Sequence, residues 1–152
     1  MSEMTATAEL SVSLLNQLKK APFVLLHTAD AQTGLPTSHA LSWIVPVHST
    51  KLRFALDARS GLNTNLQARP EAGITMFAPG SLSTAYGHTR QLSDALAGVP
   101  LEVACYELDI TELKDAMFHG GRLCSLPEFE LTYDKHAADK LNGQVFAAMK
   151  KA

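Results

Sequence analysis

Segments of strand-forming residues, separated by short polar loops, occupy most of the chain between positions 23 and 113. In the clearest segment, Leu52, Phe54 and Leu56 alternate with small or charged residues, which is the period-two pattern of a half-buried strand. Connections of hairpin length favour antiparallel pairing. About six strands fit the pattern, and a small barrel is an economical way to remove their edges.

Hydrophobic spacing and turn residues predict the order of the elements. We expect a short helix around 10–18, a second one of two turns over 60–68, and an amphipathic C-terminal helix from about 132. The expected strands cover residues 23–27, 37–48, 52–56, 72–78, 83–92 and 101–113, with a further short one at 122–127. The fold class expected is α+β, mainly β, with short helices that flank the strands, in a single domain over 1–152.

Composition excludes several classes of function. Only 18% of the 152 residues are charged and the net charge is −2, so a broad nucleic-acid surface is not expected. Cys105 and Cys124 form no C-x-x-C pair, which favours reduced thiols in a cytoplasmic protein. Residues 1–9 lack the features of a signal peptide, and no apolar run has the length of a membrane span. The low charge also leaves room for apolar surface buried against a partner subunit.

The run Arg59-Ser60-Gly61 lies where a strand meets a short helix. A helix N-terminus presents unpaired N–H groups and a partial positive charge, to which Arg59 can add a bidentate guanidinium and Ser60 a hydroxyl. These residues are therefore candidates for binding a phosphate or a carboxylate. The alternative is that Ser60 only caps the helix and Arg59 is a solvated surface charge.

Several short motifs, taken in order, resemble one known family. The motifs are Thr28-Ala29-Asp30 with Gly34-Leu35-Pro36, Leu52-Arg53-Phe54, Ser60 with Asn65-Leu66 and Pro70, and Tyr86-Gly87-His88. Their order and spacing over about residues 10–113 resemble the pyridoxamine 5'-phosphate oxidase-like family of FMN-binding split β-barrels. The family patterns are T-x-D…G-x-P, l-x-F, S-x-K-x-x-N-L…P and a G-x-A-like strand.

The resemblance implies an antiparallel split β-barrel that forms a homodimer, with two FMN sites at the subunit interface. It assigns the FMN phosphate to the region of Arg59, Ser60 and Asn65. It places residues of the second strand beside the flavin ring, here His39, Ser42 and Trp43. The activity implied is that of a small-molecule oxidoreductase.

One position departs from the family pattern. A basic residue often stands two positions after the serine of the helix, and here that position is Leu62. Arg59 or Arg53 could supply the missing charge. Alternatively, the chain is a non-catalytic or sensing barrel that has lost the flavin, or a related barrel that uses a deazaflavin coenzyme or haem. The basic residues that bind the substrate phosphate in a true oxidase are not evident, so no pyridoxine substrate is inferred.

Each remaining candidate residue has a structural interpretation as well as a functional one. The six histidines show no metal-binding spacing, so no metal site is predicted. His39 and His88 fall on expected strands, where each either borders a flavin or bonds to a neighbouring carbonyl. Trp43 could stack on a ring, seal a dimer interface or fill the barrel core. Neither a G-x-S-x-G nor a G-x-G-x-x-G motif is present, which argues against hydrolase and Rossmann chemistry.

Overall fold

Seven strands and three helices make up the part of the chain that the computed structural model describes, residues 8–20 and 22–152. They are α1 (Val12–Leu18), β1 (Val24–Ala29), β2 (Pro36–Leu41), β3 (Ile44–His48), β4 (Lys51–Asp57), α2 (Leu62–Ala68), β5 (Glu71–Ala78), β6 (Ser81–Ser93), β7 (Val103–Asp115) and α3 (Lys135–Lys151). Most of the N-terminal stretch 1–9, expected to lack a targeting signal, lies outside the described residues. None of the described helices is both long and apolar enough to cross a membrane.

The strands form one antiparallel sheet in the order β2-β1-β5-β6-β7-β4-β3. Its two end strands, β2 and β3, are consecutive in the chain and are joined only by Ser42 and Trp43. Three chain steps separate Leu41 from Ile44, so the ends of these strands lie within about 11 Å of each other. The sheet must therefore curl until the end of β2 lies close to the start of β3. The predicted α+β split barrel is confirmed.

Three element predictions need correction. The expected strand over 37–48 is two strands, because the chain breaks at Ser42 and Trp43 to pass from one end of the sheet to the other. No strand forms at 122–127, where every residue is exposed or half-buried and no apolar face exists to pack on the sheet. The helices are also not all short, since α3 has 17 residues.

The interior of the barrel is filled by alternate residues of the strands. Leu26, Phe54, Ile74 and Tyr106 are almost completely buried there. Helix α1 closes one side and adds its apolar residues to the same cluster. Its first turn is capped by Ser11, whose side chain accepts a hydrogen bond from the N–H of Leu14 at 3.2 Å.

Helix α3 covers the outer face of β3, β4 and β7 and builds a second apolar cluster. Val145 and Met149 of the helix pack with Val45, Ala55 and Cys105 of the strands. A helix with one apolar stripe needs such a surface to be stable. The expected C-terminal amphipathic helix is thus part of the core.

A buried ion-pair network lies beneath the end of α3. Glu107 is 2% exposed and accepts hydrogen bonds from Arg53 Nε at 2.9 Å and Arg90 Nη2 at 2.5 Å. Arg53 Nη1 also donates to the carbonyl of Met149 at 2.9 Å, at the end of α3. Burial raises the pKa of Glu107, but the hydrogen bonds from Arg90 and Arg53 outweigh it, so its pKa lies below the ordinary value. Arg53 is therefore committed to holding α3.

A register shift in the β6–β7 pair depends on a glycine. The shift falls between Tyr86 and Gly87, where β6 passes very close to the backbone of β7. A Cβ atom at Gly87 would overlap the carbonyl of Asp109. The close backbone approach that a glycine inside a strand indicates is therefore present here.

We expect Gly87→Ala to lower the free energy of unfolding by about 2 kcal/mol or more, because the added methyl group must displace backbone. Gly61→Ala is the matched control. Gly61 has φ −63° and open space around it, so alanine should be neutral or stabilising by up to about 1 kcal/mol. Urea unfolding of both variants tests this, and equal stabilities would contradict the close contact.

We expect Arg53→Met to lower the free energy of unfolding by about 2–3 kcal/mol. The loss is smaller than for a buried carboxylate left without any partner, because Arg90 still donates to Glu107. The variant also leaves the Met149 carbonyl without its donor. Lys114→Met is the control, since its pair with Glu112 is exposed and contributes less than about 1 kcal/mol. A loss no larger than that of the control in urea unfolding would show that the network does not anchor α3.

Candidate functional site

The turn between β4 and α2 is organised around Asp57 and Arg59. The Arg59 guanidinium donates to both carboxylate oxygens of Asp57, at 3.1 and 2.9 Å, and the Arg59 N–H donates to one of them at 2.9 Å. These bonds hold the pKa of Asp57 at about 2. The Arg59 side chain is 87% exposed, so its outer N–H groups face solvent.

Ser60 and Gly61 lead into α2 from this turn. The Ser60 hydroxyl accepts the N–H of Leu62 at 3.2 Å, while Gly61 occupies the N-cap position that the sequence suggested for Ser60. A Cβ at Gly61 would meet no atom within 4 Å, so the approach to the helix start is open. Leu62, by contrast, is buried in the barrel core. A basic side chain at that position could not occupy the same place.

Asn63 ties this turn to the barrel interior, which the sequence analysis did not foresee. Its amide donates to the carbonyls of Asp57 and Ser60 at 2.9 and 3.0 Å. Its amide oxygen accepts the hydroxyl of the buried Tyr106 at 2.6 Å, and that ring stacks on Phe54. The shape of the loop is therefore set from inside the core.

Asn65 joins α2 to the hairpin between β1 and β2. Its amide oxygen accepts the N–H of Ala31 at 3.0 Å, and its amide nitrogen donates to the hydroxyl of Thr28 at 3.1 Å. The Thr28 and Thr37 hydroxyls are in turn 2.7 Å apart. Two motifs that lie far apart in the sequence thus meet in one hydrogen-bond chain. Asn65 is buried, and both ends of its amide are used.

His39 lies on β2, opposite Leu26 of β1. It is exposed, and because side chains alternate along a strand it shares a face with Thr37. The Thr37 hydroxyl on this face hydrogen-bonds to that of Thr28, which accepts a hydrogen bond from Asn65. The structure therefore places His39 on the same side of the hairpin as α2.

Ser42 and Trp43 point to other parts of the molecule. The Trp43 indole N–H donates to Asn142 of α3 at 2.8 Å, and the ring packs beside the cluster beneath that helix. Ser42 borders a shallow apolar hollow of about 340 Å³ that also involves Phe23 and Phe129. Arg59 and Ser60 thus lie at the turn into α2, whereas the Asn65 side chain is bonded to the β1–β2 hairpin, on the side where His39 lies. Ser42 and Trp43 have their contacts elsewhere.

A second polar surface crosses the outer face of β2, β1, β5 and β6. His27 lies 3.0 Å from the Ser38 hydroxyl and 2.7 Å from that of Thr75, which is 2.8 Å from Thr84. Burial lowers the pKa of His27, which favours the neutral form of the ring. Only the strand pairing shows that these residues are neighbours.

Tyr86 lies on the same outer face. A Cβ at Gly73 would come within 3.1 Å of the Tyr86 ring, so the glycine makes room for the ring to lie across β5. His88 follows at 3.5 Å from the carboxylate of Glu71. Together they border an open cleft of about 490 Å³. No group of three or more possible metal-binding side chains occurs among the residues described.

Comparison with known proteins separates sequence from fold. No protein-family model matches the chain, and no curated protein matches it. A structure from Lactobacillus delbrueckii, named for pyridoxamine 5'-phosphate oxidase, superposes with a TM-score of 0.62 over 73% of this chain and 99% of its own, at 16% identity. The chain has the split-barrel fold of the pyridoxamine 5'-phosphate oxidase-like proteins.

Split barrels with different named cofactors are similar to it. A pyridoxamine 5'-phosphate oxidase-related, FMN-binding protein of Nostoc punctiforme has a TM-score of 0.53 and 16% identity, over 66% of this chain and 78% of its own. An F420 reductase has a TM-score of 0.58 and 15% identity, over 69% and 98%. The fold is shared, and at these identities it does not decide among cofactors.

We expect the pKa of Asp57, near 2, to rise towards about 3.9 in Arg59→Ala, because the variant removes the guanidinium bonds to the carboxylate. A depressed pKa in the folded state contributes stability above about pH 4, which is lost as the pH falls towards 2. Side-chain carboxyl NMR titration measures the shift, with exposed Arg122→Ala as control. An unchanged Asp57 midpoint would contradict the ion pair.

Proposed function

We propose that this split barrel is an FMN-binding oxidoreductase of the pyridoxamine 5'-phosphate oxidase-like type, acting on a small molecule. The observation that carries the proposal is the turn into α2, where the exposed Arg59 guanidinium lies beside Ser60 in a fold that an FMN-binding protein shares. Asn65 stays a predicted residue of the phosphate region, although its amide is bonded to Ala31 and Thr28. Residues of this chain would hold and orient FMN, which would supply hydride transfer when bound.

The phosphate would bind at the turn chiefly through one guanidinium, because the N–H groups of Leu62, Asn63 and Asn65 already donate to Ser60 and Gly61. Arg59 presents outward N–H groups, and Gly61 leaves the approach unobstructed. A phosphate is a dianion that accepts several hydrogen bonds, which suits a planar guanidinium. Asp57 works against it, because its carboxylate already accepts from Arg59 and repels an anion. Position 62 holds a leucine instead of a basic residue, so Arg59 is the main cation of the turn.

The ring would lie on the β2 side of the molecule. His39 is exposed there, and an imidazole near N1 and the C2 carbonyl would stabilise negative charge on the reduced ring. Ser42 and Trp43 stay predicted neighbours of the ring. The Trp43 indole is held by Asn142, so it would meet a ring with its free face.

A homodimer is part of the proposal. Strand β2 is exposed along most of its length on both faces, although it carries Ala40 and Leu41. Tyr86, 42% exposed on the outer face of the barrel, adds aromatic surface. A second copy would cover such surface and complete a cofactor site between subunits. We also propose that residues 1–152 form one domain and that the protein is cytoplasmic.

A related barrel that uses a deazaflavin is the second candidate, favoured by the similarity to an F420 reductase. The absorbance spectrum of a bound deazaflavin would differ from that of FMN and so identify it. A Soret band would instead indicate haem. A barrel that has lost its cofactor would show no visible absorbance after incubation with any of them.

We expect purified protein to bind FMN, with absorbance bands near 375 and 450 nm. Arg59→Ala should weaken FMN roughly 10- to 150-fold, the value of one charge-assisted hydrogen bond of about 1.5–3 kcal/mol, and leave riboflavin nearly unchanged. Asp57→Asn should strengthen FMN, because it frees the guanidinium. Fluorescence titration of both ligands measures these effects, with Arg122→Ala as control.

Three outcomes contradict the proposal at different points. Failure to bind FMN at tens of micromolar would exclude the flavin. Equal losses of FMN and riboflavin in Arg59→Ala would remove Arg59 from the phosphate. Light scattering that gives the mass of one chain, with FMN present, would exclude the homodimer.

A further inference from the structure

A separate concave site lies where α1, β3 and α3 meet. It has a volume of about 370 Å³, which is within the range of small-molecule sites. Its walls are apolar, formed by Leu18, Ile44, Val45, Pro46 and Phe146. None of these residues belongs to the candidate FMN site.

The cavity exists because β3 ends the sheet. One edge of β3 pairs with β4, and no strand pairs with its other edge among the described residues. The C-terminal ends of α1 and α3 flank that free edge instead. Pro46 has no N–H to offer an added strand, which disfavours an extended peptide as the occupant. The walls of the cavity consist of side chains and do not offer the backbone N–H and C=O groups that an added strand would need.

The rim of the cavity is positively charged. Lys19, at the end of α1, and Lys150, in the last turn of α3, both border it. Neither ammonium group lies within 4.0 Å of a carboxylate in the part of the chain that the structure describes. No Asp or Glu of residues 8–20 and 22–152 borders the cavity, and the nearby Glu107 is paired with Arg53.

We propose that this cavity binds an amphipathic carboxylate with an unbranched acyl chain of medium length. The chain would lie against Pro46 and Phe146, which are partly exposed, and remove their apolar surface from water. The carboxylate would lie at the rim between Lys19 and Lys150. An apolar body and one negative end are the two properties that these walls and this rim complement.

Decanoate is the probe, titrated into the full chain by calorimetry below its micellar concentration. We expect saturable binding of one molecule per chain. Decan-1-ol, which has the same chain without the charge, should bind more weakly, and decyltrimethylammonium should bind weakest. Added salt should weaken decanoate and leave decan-1-ol nearly unchanged, because only the former interacts through screened charges.

Two matched double variants replace either the two lysines of the rim or their neighbours in the sequence. Lys19→Gln with Lys150→Gln should weaken decanoate by roughly fivefold per lysine, which is the upper value for an exposed ion pair. Lys20→Gln with Lys151→Gln removes the same charge from residues that do not border the cavity and should have less than half of that effect. Phe146→Ala should weaken decanoate and decan-1-ol alike. Thermal unfolding confirms that each variant is folded.

Absence of saturable decanoate binding would overturn the proposal. Tighter binding of the decyl cation, or equal losses in the two lysine pairs, would overturn the role of Lys19 and Lys150. FMN titration of the same variants keeps the two sites distinct, since loss of decanoate with unchanged FMN affinity, or the reverse, separates one proposal from the other.

Discussion

The two-residue connection between β2 and β3 is the constraint on which the rest of the structure depends. Ser42 and Trp43 join the first and last strands of a seven-stranded sheet, so the sheet has to curl. Curling creates an enclosed face, which the barrel core fills, and an outer face, part of which α3 covers. Among the described residues, β2 and β3 each keep one edge that pairs with no other strand. The candidate ring residue His39 lies on β2, and the cavity with the rim lysines borders β3.

The local pattern of the sequence predicted much of this fold. Period-two alternation located β4, and glycine, proline and aspartate marked the first hairpin. The family motifs also have a visible physical basis. Thr28 and Asn65, which belong to different motifs, hydrogen-bond to each other and fix α2 against the hairpin. The spacing of these two motifs therefore reflects a contact between the hairpin and α2.

The remainder depended on contacts that sequence spacing does not encode. Nothing in the run 37–48 shows that the chain changes from one end of the sheet to the other at Ser42. Arg53 offered a charge on a strand, and only the packing of α3 shows that it binds Glu107 and a helix carbonyl. Asn63 falls within the helix predicted over 60–68, and only the structure shows that it links the turn to Tyr106. The pairing of His27 with Thr75 required the register of β1 and β5.

The Asp57–Arg59 pair has a consequence for which anions this turn can select. The carboxylate acts as a built-in competitor, so an incoming ligand must interact with the guanidinium more strongly than a covalently tethered carboxylate does. A monoanion of similar geometry gains little by the exchange, whereas a dianion gains a second charge. In the proposed phosphate site the pair would therefore set a threshold that discriminates by charge. Such a turn would disfavour simple carboxylates without any steric barrier.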